Sequence, residues 1–200
     1  MKEVEIKIRN IDKEDIIKKI TDLGARKNFC GKVIDHRFDT PDRTLSKQGK
    51  ALRIRQKGNY VYINLKGKKD SSDNITGREE LSLRVFGYRN AYRILTELGY
   101  VKIFELSKTR TEYKMEGVKF DIDEYLGMEA ILEIESDNNK TVQEYVDKLG
   151  ITKEDLGRVY IREILAAKKK YDFDKKKEEI YDLLEEHNRA NFVFKKDKNK

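Results

Sequence analysis

Seven segments of this sequence set charged or polar residues two apart, mostly with apolar residues between them. Glu3, Glu5 and Lys7 alternate with Val4, Ile6 and Ile8, and Arg53 and Arg55 flank Ile54 beside Leu52. Asn64 and Lys66 oppose Ile63 and Leu65; Asp121 and Asp123 oppose Phe120 and Ile122; Glu133 and Glu135 oppose Leu132 and Ile134. Arg78 and Glu80 share a side, as do Lys108, Arg110 and Glu112. Residues i and i+2 of a strand share a face, so each segment reads as a strand with one charged and one apolar face. A single such strand belongs to an antiparallel sheet with a wet side. The recurrence on most strands poses a sharper choice. If the sheet closes on itself, the charges point either to bulk water or into a lumen. In the second case helices must cover the apolar outside.

The remaining segments supply those helices. Residues 10–24, "NIDKEDIIKKITDLG", predict a helix with Asp12 as N-cap, an apolar stripe of Ile16, Ile17, Ile20 and Leu23, and Gly24 as the stop. A second helix over 88–98 carries the stripe Tyr92, Leu95 and Leu98 and ends at Gly99. A third spans "NKTVQEYVDKLG", and a further one is predicted over "GRVYIREILAAKKK". "GN" at 58–59 is a hairpin signal between two strands, "RTLSKQG" reads as a turn and "SSDN" as a loop. Strand, helix, strands occurs twice, and the first helix of each round ends in "LG". The order predicts an α+β fold: a duplicated unit closing into one antiparallel barrel with flanking helices, with two packed sheets as the alternative. Residues 1–167 form the predicted domain; 168–200 are a charged helical tail with Ile180, Leu183, Leu184 and His187 as its one apolar stripe.

Forty-four basic against 37 acidic residues leave a net charge of +7, which suits a polyanionic partner. One cysteine, Cys30, excludes an internal disulfide and fits a reducing compartment. With no signal peptide and no apolar run near the length of a membrane span, a cytoplasmic location is expected and no membrane partner. His36 and His187 are assigned to packing or surface.

A charged lumen must be internally compensated, because unpaired buried charge is very costly. Here the two signs are both present and are the two halves of a metal–polyphosphate site. Hard divalent cations take carboxylate oxygens, and Mg²⁺ binds through a few carboxylates plus substrate phosphates. Arginine and lysine clamp phosphate oxygens. An E-x-E pair on a strand places two carboxylates about 7 Å apart on one face. The pairs Glu3/Glu5 and Glu133/Glu135 could therefore converge on one or two ions.

At this point the sequence resembles the CYTH superfamily, the triphosphate tunnel metalloenzymes, which include class IV adenylate cyclases, thiamine triphosphatases and inorganic triphosphatases. The resemblance rests on E-x-E-x-K at Glu3, Glu5 and Lys7, "FDTPDRTLSKQGKALRIR" (38–55), "LKG" (65–67), "GRE" leading into Glu80, "KTR" (108–110), "DEYLG" (123–127) and "EIE" (133–135). It runs from residue 2 to about 166. It implies a closed eight-stranded antiparallel tunnel in which Glu3, Glu5, Asp123, Glu133 and Glu135 hold Mg²⁺ or Mn²⁺. Lys7, Arg53, Arg55, Lys66, Arg78, Glu80, Lys108 and Arg110 would bind the triphosphate, with Lys7, Glu5 and Glu135 as the catalytic groups. Lys7 is a candidate proton acceptor, since a crowded cationic site can depress a lysine pKa; a plain phosphate clamp is the other reading. Three departures stand out: Ser82 replaces the last acid of R-x-E-x-E, the stretch after Asp123 is one residue short, and "GRVY" (157–160) stands for K-S-Y, with Arg158 and Tyr160 in matching places.

The implied activity is metal-dependent hydrolysis of an inorganic or organic triphosphate, with tripolyphosphate, ATP and thiamine triphosphate as candidates. The alternatives are cyclisation of ATP to cyclic AMP and pyrophosphate, and a non-catalytic polyphosphate- or RNA-binding barrel. Nucleic acid is disfavoured, because a pure polyanion binder gains nothing from E-x-E pairs at both ends. A homodimer is left open.

Overall fold

The computed structural model describes residues 2–71, 75–152, 154–156, 162–172 and 175. The seven alternating segments all become strands of one antiparallel sheet, and two further strands bring the total to nine. They are β1 (Lys2–Ile8), β2 (Arg26–Asp39), β3 (Ala51–Lys57), β4 (Tyr60–Lys66), β5 (Asp70–Ser71), β6 (Thr76–Val85), β7 (Val101–Met115), β8 (Val118–Tyr125) and β9 (Ile131–Ser136). The strand order is β1-β9-β8-β7-β2-β3-β4-β6-β5, and β6 also pairs with β1, from Lys2↔Glu79 to Glu5↔Thr76. Of the nine strands, only the two-residue β5 stands outside the circuit, so eight close a barrel. That closure removes the alternative of two packed sheets.

The duplication is visible in the wiring. β2, β3 and β4 form a meander that receives β6, and β7, β8 and β9 form a meander that receives β1. Each half thus lends its first strand to the other half, and the long pair β2–β7 joins them. From the sequence alone the strand here is expected over "KVIDHRFDT" (32–40), but β2 begins earlier, at Arg26, pairing with β7 from Arg26↔Lys114 onward. β5 falls at the edge of the segment read as a loop.

Helices cover the apolar outside of most of the barrel, while Leu81 and Leu83 of β6 remain exposed. α1 (Lys13–Asp22) starts at Asp12, whose carboxylate accepts from the backbone N–H of Glu14 and Asp15 at 2.9 and 3.0 Å. It ends at Gly24, whose φ of +96° is open to glycine without strain. α1 and α4 (Asn139–Lys148) bury Ile16, Ile20, Val142 and Val146 against Val4, Ile6, Phe120, Ile122, Leu132 and Ile134. α3 (Tyr88–Glu97) packs on Phe38, Leu52 and Ile54. Its buried stripe differs from the sequence reading: Ala91 and Leu95 go inside, while Leu98 is 68% exposed as the helix C-cap. His36 has the packing role assigned to it, with its ring 4.5 Å from that of Tyr88 on α3.

"RTLSKQG" holds a four-residue helix, α2 (Thr44–Lys47), rather than a plain turn. The buried Asp39 carboxylate organises it, accepting from the N–H of Thr40, Leu45 and Ser46 and from the Ser46 hydroxyl. A final helix covers 162–172. Arg158, Tyr160 and the predicted tail stripe lie outside the described residues, and the boundary drawn at 167/168 falls within this helix. No helix among the described residues is long and apolar enough to cross a membrane.

Candidate active site

Strand parity turns the charged faces inward onto a cavity of about 1150 Å³. It is lined by Glu3, Glu5 and Lys7 of β1, Arg53 and Arg55 of β3, Lys66 of β4, Arg78 and Glu80 of β6, Lys108 and Arg110 of β7, Asp123 of β8, and Glu133 and Glu135 of β9. Every residue given a metal, phosphate or catalytic role in the sequence reading therefore lines one lumen. The register Glu5↔Glu135 and Lys7↔Glu133 sets the two E-x-E pairs side by side, although about 130 residues separate them. β3, with its two arginines, lies four strands away in the eight-stranded ring, directly across from β9.

The lumen compensates its own charge. Lys66 Nζ reaches Glu3 at 2.5 Å and Glu80 at 2.7 Å. Arg78 donates to Glu5 at 3.2 Å, and Lys7 pairs with Glu133. Lys108 and Arg110 converge on Asp123 at 2.5 and 2.6 Å, and Arg110 also grips Asp121. Arg55 forks onto Asp35 through Nε at 2.6 Å and Nη2 at 2.7 Å, and Arg53 spans Asp35 at 3.4 Å and Glu80 at 3.3 Å. Burying this many charges, some fully and some in part, is tolerable because each of these ions has a partner.

Those partners also set the protonation states. Burial alone would lower the Lys7 pKa, but Glu133 and Glu5 more than offset it and hold the ammonium above its ordinary value. The depression anticipated for Lys7 is thus reversed, which favours the clamp over the proton acceptor. Lys108 is the lysine that is depressed, to about 8, by burial and then by Arg110. Glu135 is pushed up to about 7, by burial first and then by Glu3 and Glu133, despite Lys119. Burial opposes ionisation of Glu133 as well, yet Lys7, Arg110 and Lys108 hold it well below the usual carboxylate range.

The donor set fits a hard divalent cation. Oxygens of Asp121, Glu133 and Glu135 lie within 4.8 Å of one another. Asp121 Oδ1 is buried without a hydrogen-bond partner, a cost that a cation would relieve. Asp121 thus joins Glu133 and Glu135 where the sequence set has Asp123, whose carboxylate is taken up by Lys108 and Arg110. Sequence reasoning placed Asp121 on the lumen face without assigning it a ligand role. It passed over Asp35 and Arg37, whose signal is the alternation Asp35, Arg37, Asp39 against Ile34, His36, Phe38.

Comparison with known proteins gives a consistent picture. The family model of the CYTH domain matches residues 1–160. A candidate adenylate cyclase of Methanocaldococcus jannaschii is 28% identical over 169 residues, covering 79% of this chain and 95% of that protein. Among solved structures, a Pyrococcus horikoshii protein superposes with a TM-score of 0.68 at 27% identity, covering 80% of this chain and 98% of its own. A Hippeastrum protein, described as a candidate adenylyl cyclase with a dominant triphosphatase activity, shares the fold at a TM-score of 0.57 and 19% identity, over 82% and 95% of the two chains.

Proposed function

This chain belongs to the CYTH domain family, and from that premise we propose that it is a divalent-metal-dependent enzyme that hydrolyses a triphosphate inside the barrel. The observation that carries the reading is the pair of E-x-E motifs side by side in a lumen whose opposite wall is cationic. Glu3, Glu5, Glu133 and Glu135, with Asp121 or Asp123, would hold Mg²⁺ or Mn²⁺. A bound ion supplies charge neutralisation and Lewis acidity at the polyphosphate. Arg53, Arg55, Lys66, Arg78, Lys108 and Arg110 would grip phosphate oxygens, and Lys7, held as an ammonium, would orient a phosphate. Glu80 acts through Arg53 and Lys66, which it fixes in place. Phosphoryl transfer depends chiefly on positioning and charge stabilisation, and a rigid, pre-paired lumen offers both. The ion pairs seen without substrate must then exchange partners as phosphates enter.

The acidic pairs argue against mere polyanion binding. Cyclisation of ATP is the second reading. The name of the M. jannaschii relative favours it, and so does the apolar lining of Leu106, Tyr125, Ile131 and Ile164 along one part of the cavity, which suits an organic group. Incubation with tripolyphosphate, ATP and thiamine triphosphate, with Mg²⁺ or Mn²⁺, separates the readings by their products. Orthophosphate release is expected. Cyclic AMP and pyrophosphate from ATP would establish the second reading instead, and no product from any of them would leave a binding protein.

A further inference from the structure

Arg37 is a lumen cation that Asp35 and Asp39 act on only from beyond ion-pair distance. It projects from β2, directly opposite Arg53 of β3, into the same cavity. The lumen cations named above each reach a carboxylate. No described carboxylate lies within ion-pair distance of Arg37, and its Nε is buried with no hydrogen-bond partner. The acids closest to it in sequence are committed elsewhere. Asp35 is forked by Arg55, and Asp39 is filled by the N–H groups that build α2. The guanidinium carbon lies 5.8 Å from the centre of the Phe104 ring, which gives it a face to lie against but no counter-charge. Burial, followed by the like charge of Arg53, lowers its pKa to about 10.

Arg37 is half-buried; a guanidinium group drawn even partly out of water is costly without a partner, and five donors in a fixed fork suit an oxyanion. The approach to it is also cationic. Ala51, two residues from Arg53 on the same face, is the first residue of β3, and the rim beside it carries Lys50 and Lys68. Lys68 packs against Gly49 of the α2 turn, with its Cγ 3.2 Å from where a β-carbon would stand. Asp39 thus anchors one side of a basic rim, and Arg37 sits one pleat step inside it.

We propose that Arg37 is an anion-binding residue of the tunnel, taking a phosphate group of a substrate that enters past Lys50 and Lys68, beside Arg53. The inference rests on the triphosphate reading of the lumen and adds to it a residue and an end of entry. It also separates a binding role from a structural one. An arginine that holds the fold together loses stability when neutralised. One that waits for an anion, among like charges, does not.

The test uses the bis-methylene analogue of tripolyphosphate, whose P–C–P links resist hydrolysis, titrated calorimetrically with Mg²⁺ into the full chain. Arg37→Gln is expected to weaken binding roughly 10- to 100-fold, the loss of a charge-assisted contact. Its melting temperature without ligand should equal or exceed that of the wild type, and the ligand-induced rise should shrink. Arg37→Lys keeps the charge but not the fork, and should fall between the two. Wild-type-like affinity in Arg37→Gln would overturn the inference while leaving the triphosphate reading intact. So would a drop in ligand-free melting temperature, or failure of the variant to fold, combined with wild-type affinity in Arg37→Lys. If the wild type itself does not bind the analogue, the triphosphate reading falls and this assignment falls with it.

Discussion

Glu135→Gln is expected to cut metal-dependent turnover by at least about 100-fold, since even outer-shell partners of a metal site contribute factors of this order. The barrel should stay folded. Glu135 stands opposite Glu5 across β1–β9 and shares the closest carboxylate cluster with Asp121 and Glu133. Burial, Glu3 and Glu133 already oppose its ionisation, so its negative charge is kept at an energetic disadvantage. The amide keeps the shape and removes that charge. Without metal the variant should therefore melt no lower than the wild type at neutral pH, while saturation with Mg²⁺ moves to higher concentration or disappears. Steady-state rates across a Mg²⁺ series, beside melting curves, check both halves. Full activity in Glu135→Gln would remove it from the ligand set.

Asp35→Ala should have the largest effect on stability. Asp35 is 8% exposed and is the only carboxylate within ion-pair distance of Arg55 among the described residues. It also holds one side of Arg53. Removing one member of a buried ion pair leaves uncompensated charge and costs about 3–5 kcal/mol. Urea denaturation should show a lower midpoint, with little change in slope. The sign of the pH dependence follows from the shift. Although burial opposes ionisation, Arg53 and Arg55 depress the Asp35 pKa far below its unfolded value, so its stabilisation is present above about pH 4 and is lost as pH falls below that. The gap between wild type and Asp35→Ala should narrow on acidification over that range. A variant equal to wild type at pH 7 would show that Arg53 and Arg55 do not depend on Asp35 for their placement.

How much of this was legible in the sequence depended on what each residue faces. β1, β3, β4, β8 and β9 announce themselves because one face meets a helix and the other a lumen, so the alternation is enforced along their length. The start of β2, from Arg26 to Cys30, is mostly exposed and carries no such pattern, so the sequence marks only its later part. α2 is too short for a helical period and exists through contacts with Asp39, which no local window contains. The shared lumen face of the site residues followed from parity alone. Which base meets which acid did not, because Lys66 meets Glu80 across the β4–β6 pairing and reaches Glu3 only when β6 also closes on β1. Arg37 was hidden by its neighbour: His36, a polar residue in the outward row, blurs an alternation that Ile34 and Phe38 otherwise keep.

The most direct measurement is anomalous diffraction from crystals grown with Mn²⁺ and the bis-methylene triphosphate analogue. One or two Mn²⁺ peaks are expected inside the barrel, bounded by carboxylates of Glu133 and Glu135, with the analogue's phosphates against Arg53 and Lys66. Mn²⁺ only on the outer surface, or an analogue bound outside the lumen, would contradict a catalytic tunnel.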